Sequence, residues 1–167
     1  MFSIYTGDGK GKTTASIGLI IRAIGSHKKV RLIQFLKPGV SSEIRILNKL
    51  DVNVKRFSEK HFIIKQPSNK DIKKAKEAVN YIRKIIVNEK MDLLVLDEIN
   101  LAIYFGLVSI NDAKMIIEDC TKRNIELVFT GRNANSELIK IADLVSEIKE
   151  IKHYFNKGII ARKGFEY

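Results

Sequence analysis

A regular alternation of short apolar segments with longer amphipathic ones restricts the fold of this chain more than any other feature. Amphipathic segments show helical spacing, as Ala75, Ala78, Val79 and Ile82 do within 71–87. Strands that alternate with helices form a mostly parallel sheet covered on both faces. We therefore predict one α/β domain over residues 1–167, a three-layer sandwich. Its strands are predicted at 2–5, 30–36, 52–57, 93–96, 125–130 and 144–148, and its helices at 12–24, 43–50, 71–87, from Ser109 onward, and at 136–141.

A glycine-rich loop joins the first predicted strand to the first predicted helix, and it reads TGDGKGKTT from Thr6 to Thr14. Its glycines let several backbone N–H groups turn toward one anion, and the following helix presents its positive end to the same point. Lys12 adds a full charge, and the Thr13 hydroxyl can bind the Mg²⁺ that accompanies a triphosphate. The pattern predicts a P-loop, and with it a three-layer sandwich of the P-loop NTPase-like (RecA-like) kind. The loop is predicted to bind ATP through Gly7, Asp8, Gly9, Lys10, Gly11, Lys12, Thr13 and Thr14.

The loop departs from the usual spacing G-x-x-x-x-G-K-[ST], which would place a glycine where this chain has Thr6. A glycine-rich turn that binds no ligand is therefore the alternative interpretation. A second motif argues against it, because the apolar run LLVL is followed by Asp97 and Glu98. The carboxyl ends of parallel strands meet at the sheet edge where ligands bind. Asp97 and Glu98 are therefore predicted to hold Mg²⁺ together with Thr13, directly or through water.

Composition excludes several classes of protein. The formal charge is +11, which can attract nucleic acids, but the lysines are scattered and no basic tail is interleaved with aromatic residues, so we expect no nucleic-acid partner. The single cysteine, Cys120, cannot form a disulfide framework within one chain. The start MFSIYTGDG does not resemble a signal peptide, and no run approaches the roughly 18 apolar residues that span a membrane. We expect a cytoplasmic protein without a membrane partner.

Several further segments, in order along the chain, resemble the ATP:corrinoid adenosyltransferases of the P-loop type. These enzymes are also called cob(I)alamin or cob(I)yrinic acid a,c-diamide adenosyltransferases. The resemblance extends from residue 2 to residue 167, and it combines a glycine-shifted phosphate loop with distinctive downstream motifs. The matching segments are YTGDGKGKTTASIGL at 5–19, QFLK at 34–37, LDEIN at 96–100, TGR at 130–132, ELIKIADLVSEIKEIKH at 137–153 and KGFEY at 163–167.

The resemblance implies a reaction in which the 5′-deoxyadenosyl group of ATP moves to the Co(I) of a corrinoid and tripolyphosphate leaves. It also implies a homodimer and a separate electron donor, a flavodoxin or reductase. By position, Gly7 to Thr13 would hold the triphosphate, with the nucleotide lying in the reverse sense along the loop. Lys12, Thr13 and Glu98 would be catalytic, and Thr13 and Glu98 would bind Mg²⁺. Phe62 matches an aromatic residue that packs near the lower face of the corrin ring.

Two other residues in the matching segments have alternative interpretations. Arg132 follows a predicted strand, so it is expected to contact phosphate or nucleotide, although a surface ion pair is the alternative. Asn100 is expected to contact substrate but could equally cap the turn after its strand. Co(I) is itself a strong nucleophile with no proton to remove. The reaction therefore needs no general base, and the sequence shows no convincing Ser-His-Asp or Cys-His set.

The chain departs from the family pattern in two places. Family members commonly carry an N-terminal extension that helps to cover the site, whereas the first predicted strand begins here at residue 2. The family segment near Phe62 reads like G-F-T-W, whereas this chain has HFII at 61–64. Two rival functions remain open from the sequence. One is a small-molecule kinase or ATPase of the P-loop class that yields ADP, and the other is a RecA-like nucleic-acid-binding ATPase.

Overall fold

Six parallel strands form one sheet in the computed structural model, which describes residues 1–39, 41–58 and 66–166. The strands are β1 (Phe2–Thr6), β2 (Val30–Phe35), β3 (Asn53–Phe57), β4 (Leu93–Asp97), β5 (Glu126–Thr130) and β6 (Leu144–Glu147). Their order across the sheet is β3-β2-β4-β5-β1-β6. Each predicted strand is present, and its ends lie within one residue of the prediction.

The helices in the described ranges are α1 (Lys12–Gly25), α2 (Ser42–Lys49), α3 (Asn69–Asn88), α4 (Ile99–Tyr104), α5 (Ile110–Lys122) and α6 (Ser136–Ile141), with a 3₁₀ helix at Tyr154–Lys157. The prediction started α3 two residues too late, because Ser68 and Asp71 form a capping box at its start. The short α4 and the 3₁₀ helix were not predicted. None of these helices is long and apolar enough to cross a membrane.

Different helices cover the two faces of the sheet. On one face, α1 and α2 bury residues such as Ile20, Ile44 and Leu47 against Val95 and its neighbours. On the other face, α3, α4, α5 and α6 contribute to a larger core that contains Leu94. Consecutive residues of β4 therefore point into two separate apolar cores, as expected of a parallel strand buried on both faces. The predicted α/β three-layer fold is confirmed.

The strand order brings the carboxyl ends of four neighbouring strands to one edge of the sheet. Gln34 of β2 lies beside Asp97 of β4, and Tyr5 of β1 lies beside Thr130 of β5. The glycine-rich loop follows β1, so it starts at the same edge as the end of β4. This edge is where a parallel α/β sheet binds its ligands.

Candidate active site

The phosphate loop is shaped by a close approach of two backbones. The Gly9 N–H donates a hydrogen bond of 2.8 Å to the carbonyl of Ile148, just after β6. A Cβ atom at Gly9 would lie 2.7 Å from the Lys149 carbonyl oxygen, and one at Gly7 would lie 2.5 Å from that of Ile148. Gly7 also has a φ of +99°, a conformation that L-residues rarely adopt. Both positions therefore require glycine, and the loop is held in its curled form by the segment after β6.

Lys12 stabilises the loop through hydrogen bonds to its backbone. Its ammonium donates to the carbonyls of Gly7 at 2.7 Å and Gly9 at 2.8 Å, and the residue is 8% exposed. Burial lowers the pKa of Lys12, while the negative charge of Glu98 acts in the opposite direction. Gly11 is the N-cap of α1, and its carbonyl accepts the Ala15 N–H at 2.7 Å. The loop is thus closed around one cation at the positive end of a helix, which favours a phosphate ligand.

Thr6 takes the position where the usual motif has glycine. It is the last residue of β1, and its side-chain oxygen accepts a hydrogen bond of 3.3 Å from the Ala134 N–H. The backbone turn that the usual glycine allows is made one residue later, at Gly7. The departure from the standard spacing is therefore accommodated by the end of the strand.

Asp97 is the centre of a hydrogen-bond network at the carboxyl end of β4, and it is fully buried. One carboxylate oxygen accepts the hydroxyls of Thr13 at 2.9 Å and Thr130 at 2.6 Å. The other accepts the Gln34 amide at 3.1 Å and lies 2.6 Å from the Lys37 ammonium. A buried carboxylate requires such compensation. The network fixes the position of the Thr13 hydroxyl, which is the predicted metal ligand on the loop.

Glu98 lies beside this network in an unusual backbone conformation, with a φ of 62°. Its N–H donates to the Thr130 hydroxyl at 3.0 Å, which orients the turn after β4. Burial, followed by the neighbouring charge of Asp97, raises the pKa of the Glu98 carboxyl, and the charges of Lys37, Lys12 and Arg132 oppose this shift. The Glu98 carboxyl therefore lies where the charges of Asp97 and of three basic side chains act on it, at the same edge as the phosphate loop.

Asn100 and Arg132 both contact the turns around this edge. Asn100 is fully buried, and its amide nitrogen donates to the Gly131 carbonyl at 3.3 Å. Its side-chain oxygen has no hydrogen-bond partner within the described ranges. The Arg132 guanidinium donates to the backbone carbonyl of Asp8 at 3.2 Å and lies 3.6 Å from the Asp8 carboxylate. Arg132 therefore sits at the rim of the phosphate loop, while Asn100 lies inside the adjacent turn.

The comparison with known proteins decides the family. A family described as ATP:corrinoid adenosyltransferase BtuR/CobO/CobP matches residues 1–167. The chain belongs to this family. A corrinoid adenosyltransferase of Sinorhizobium sp is 32% identical over 168 residues, covering 98% of this chain and 78% of that protein. A corrinoid adenosyltransferase of Pseudomonas aeruginosa is 31% identical over 169 residues, which cover 98% of this chain and 82% of that protein. A corrinoid adenosyltransferase of Escherichia coli (strain K12) is 27% identical over 165 residues, which cover 98% of this chain and 84% of that protein.

Membership of the ATP:corrinoid adenosyltransferase family confirms the predicted family and enzyme class, with ATP and a corrinoid as its substrates. The structure brings the predicted residues Gly7 to Thr13, Asp97, Glu98 and Arg132 to one edge of the sheet. Their individual roles stay predictions. The predicted corrinoid contact, Phe62, lies outside the described residues.

Thr14 and Lys10, two of the predicted loop residues, have exposed side chains, and their contacts with ATP stay predictions. Thr14 is exposed in the first turn of α1. Lys10 donates to the Tyr154 hydroxyl at 2.8 Å and to the Glu166 carboxylate at 2.7 Å. The hydrogen bond to Glu166, followed by that to Tyr154, raises the pKa of Lys10, and Glu166 also pairs with Arg162. In this structure Lys10 therefore links the phosphate loop to the C-terminal segment that contains Tyr154 and Glu166.

Lys37 is a residue of the site that the sequence analysis did not assign. Its ammonium contacts both the Asp97 carboxylate, at 2.6 Å, and the Thr13 hydroxyl, at 2.9 Å. The only sequence signal was its place in the segment QFLK, directly after an apolar strand. Without the pairing of β2 with β4, that signal gives no partner for the lysine.

Proposed function

We propose that this chain transfers the 5′-deoxyadenosyl group of ATP to the reduced cobalt of a corrinoid and releases tripolyphosphate. The observation that carries the proposal is the phosphate loop with its internal Lys12, joined through Thr13 to the buried Asp97, in a chain that matches the adenosyltransferase family from end to end. The site collects positive charge where a triphosphate would lie, and this suits a reaction whose leaving group is an anion.

The loop amides and Lys12 would bind the triphosphate and stabilise the charge that grows on it as the C5′–O bond breaks. A hydrogen bond to a charged group contributes about 1.5–3 kcal/mol, and groups already fixed in place need no rearrangement during the reaction. The close packing of Gly7 and Gly9 against Ile148 supplies this rigidity. Holding C5′ in line with cobalt would contribute on the order of 7–11 kcal/mol in addition.

The residues present fit a magnesium ion. The Thr13 hydroxyl donates its proton to Asp97, so its lone pairs are directed elsewhere, and in this structure they receive the Lys37 ammonium. A cation is therefore already accommodated between Thr13 and Asp97. Thr13 and Glu98 would hold Mg²⁺, with Asp97 acting directly or through water. When bound, Mg²⁺ would offset the negative charge of the phosphates.

The remaining predictions about this protein form part of the proposal. Phe62 would pack near the corrin ring, and Asn100 and Arg132 would contact substrate or nucleotide. A flavodoxin or reductase would supply the electron that forms Co(I), and residues 1–167 would act as one cytoplasmic domain without a nucleic-acid partner. Exposed apolar side chains on the edge strand β6, including Leu144 at 46% and Val145 at 39%, support a homodimer.

One assay tests the reaction. The protein is incubated with ATP, Mg²⁺ and a chemically reduced corrinoid, and the phosphate product and the corrinoid spectrum are identified. Tripolyphosphate together with an adenosylated, light-sensitive corrinoid is the expected result. ADP as the sole product would refute the proposal in favour of a kinase or ATPase. Hydrolysis that depends on added DNA or RNA, with no adenosylated product, would favour the RecA-like rival.

A further inference from the structure

We propose that Lys37 is the resident cation of the metal site: its ammonium occupies the position between Thr13 and Asp97 and yields it to Mg²⁺ when ATP binds. This inference rests on the proposed function, because it concerns the metal that accompanies ATP. It makes Lys37 a positioning residue that keeps the loop and strand β4 in the metal-binding arrangement.

The contacts of the ammonium are those of a metal ion in a phosphate-loop site. It lies 2.6 Å from one Asp97 oxygen and 2.9 Å from the Thr13 oxygen, so it bridges the loop and the strand. Among the residues that the structure describes, the remaining hydrogen-bond partners of Asp97 are the neutral groups of Thr13, Thr130 and Gln34. Lys12 of the phosphate loop is engaged with the carbonyls of the loop itself. Lys37 therefore supplies the positive charge that pairs with Asp97.

The backbone around Lys37 is built to aim its side chain at this position. Leu36, directly before Lys37, has a φ of 55°, which is uncommon for a residue other than glycine. The Lys37 carbonyl accepts the Arg56 guanidinium at 2.7 Å and the Ser58 hydroxyl at 2.6 Å. Strained conformations of this kind persist where the surroundings fix them, and they cluster at functional sites. The backbone of Lys37 is thus fixed by the unusual conformation of Leu36 and by two hydrogen bonds to the Lys37 carbonyl.

An ammonium and a divalent cation cannot share the same contacts, because their charges repel and the Thr13 oxygen has a limited set of lone pairs. Lysine has a flexible four-carbon stem, and the Lys37 side chain is 24% exposed, so it can swing outward. ATP phosphates would give the displaced ammonium a new anionic partner. We therefore expect Mg²⁺ to enter the site far more readily together with the nucleotide than alone.

The first test removes the charge of Lys37 and asks whether Mg²⁺ alone replaces it. The Lys37→Met substitution leaves the buried Asp97 without a cation. The melting temperature of the variant protein should therefore be lower than that of wild type, and added Mg²⁺ should restore it. Wild type and the matched control Lys49→Met, which removes an exposed lysine of α2, should respond little to Mg²⁺. NaCl at equal ionic strength should not restore Lys37→Met, and the double variant with Asp97→Asn should lose the response. A melting temperature that Mg²⁺ leaves unchanged would overturn the inference.

The second test titrates Mg²⁺ while binding of a fluorescent ATP analogue is measured, without corrinoid. If the ammonium fills the position nine-tenths of the time, Lys37→Met should lower the half-saturating Mg²⁺ concentration about tenfold. Lys37→Arg keeps the positive charge on a guanidinium, which pairs more strongly with a carboxylate, and it should raise the half-saturating Mg²⁺ concentration. The arginine variant decides the matter if Lys37→Met yields no folded protein. Unchanged Mg²⁺ dependence beside normal adenosyl transfer refutes this inference alone, whereas a wild-type protein that binds no ATP refutes the proposed function.

Discussion

Gly9→Ala is the most direct test of how the phosphate loop is held. The added methyl carbon would lie 2.7 Å from the Lys149 carbonyl oxygen and 2.8 Å from that of Ile148, where ordinary contact begins at 3.4 Å. The obstruction consists of backbone atoms, so no rotamer change relieves it. The loop and the segment after β6 must therefore separate, and the 2.8 Å hydrogen bond from the Gly9 N–H to Ile148 must lengthen or break.

The cost follows from these two effects. Overpacking a well-packed contact costs about 1–3 kcal/mol, and a lost hydrogen bond costs about 0.5–1.5 kcal/mol. We therefore expect the free energy of unfolding to fall by about 1.5–4.5 kcal/mol. Gly18→Ala is the matched control, because it makes the same substitution on α1 where no atom lies within 4 Å. That variant should gain about 0.5–1 kcal/mol from its better helix propensity.

Urea unfolding followed by circular dichroism measures both variants, and equilibrium binding of ATP measures the loop. Gly9→Ala should lose affinity for ATP in parallel with its stability, whereas Gly18→Ala should bind as wild type does. Lys149→Ala in the Gly9→Ala background should recover neither property, because it leaves the obstructing carbonyl in place. Gly9→Ala with wild-type stability and affinity would refute the packing of the loop against the segment after β6.

Two further predictions concern other single residues. Lys12→Ala should keep the fold and lower the rate of adenosyl transfer by roughly 10²-fold or more, because it removes a fixed charge from the leaving group; unchanged turnover would mean that the loop is misassigned. Cys120 is 1% exposed, and burial raises the pKa of its thiol from 9.0 to about 12, so native protein should resist thiol reagents until it is unfolded. Because the unfolded thiol ionises first, the stability of wild type relative to Cys120→Ala should fall by about 1.4 kcal/mol per pH unit above pH 9 and below pH 12; a difference independent of pH would contradict this.

The parts of the fold that local sequence determines were predictable. The four apolar residues before Asp97 are buried on both faces of the sheet, and such runs are recognisable without any partner. The glycine-rich loop was also recognisable from local sequence, because all of the residues that define it lie within nine consecutive positions. By contrast, α4 covers only six residues that are almost all apolar, and no helical period can be detected over so short a stretch.

The parts of the site that depend on the order of the strands were not predictable. Alternating strands and helices indicate a parallel sheet but not which strands are neighbours, so the pairing of Gln34 with Asp97 could not be known. Lys37 acquires its role only through that pairing. The contact of Lys10 with Glu166, 156 residues away, was not predictable either, because nothing local to the loop indicates it.

The position of β1 in the sheet affects how the protein can be synthesised. β1 is made first, yet it lies between β5 and β6, which are made last. Its Phe2 pairs in register with Leu127, and its Ser3 pairs with Leu144. A nascent chain therefore leaves the ribosome with its first strand unpaired until most of the polypeptide has followed. Such a distant closure is slow, and we expect nucleotide to be of no help to early folding, because the loop acquires its shape only after β6 and the segment that follows it have been made.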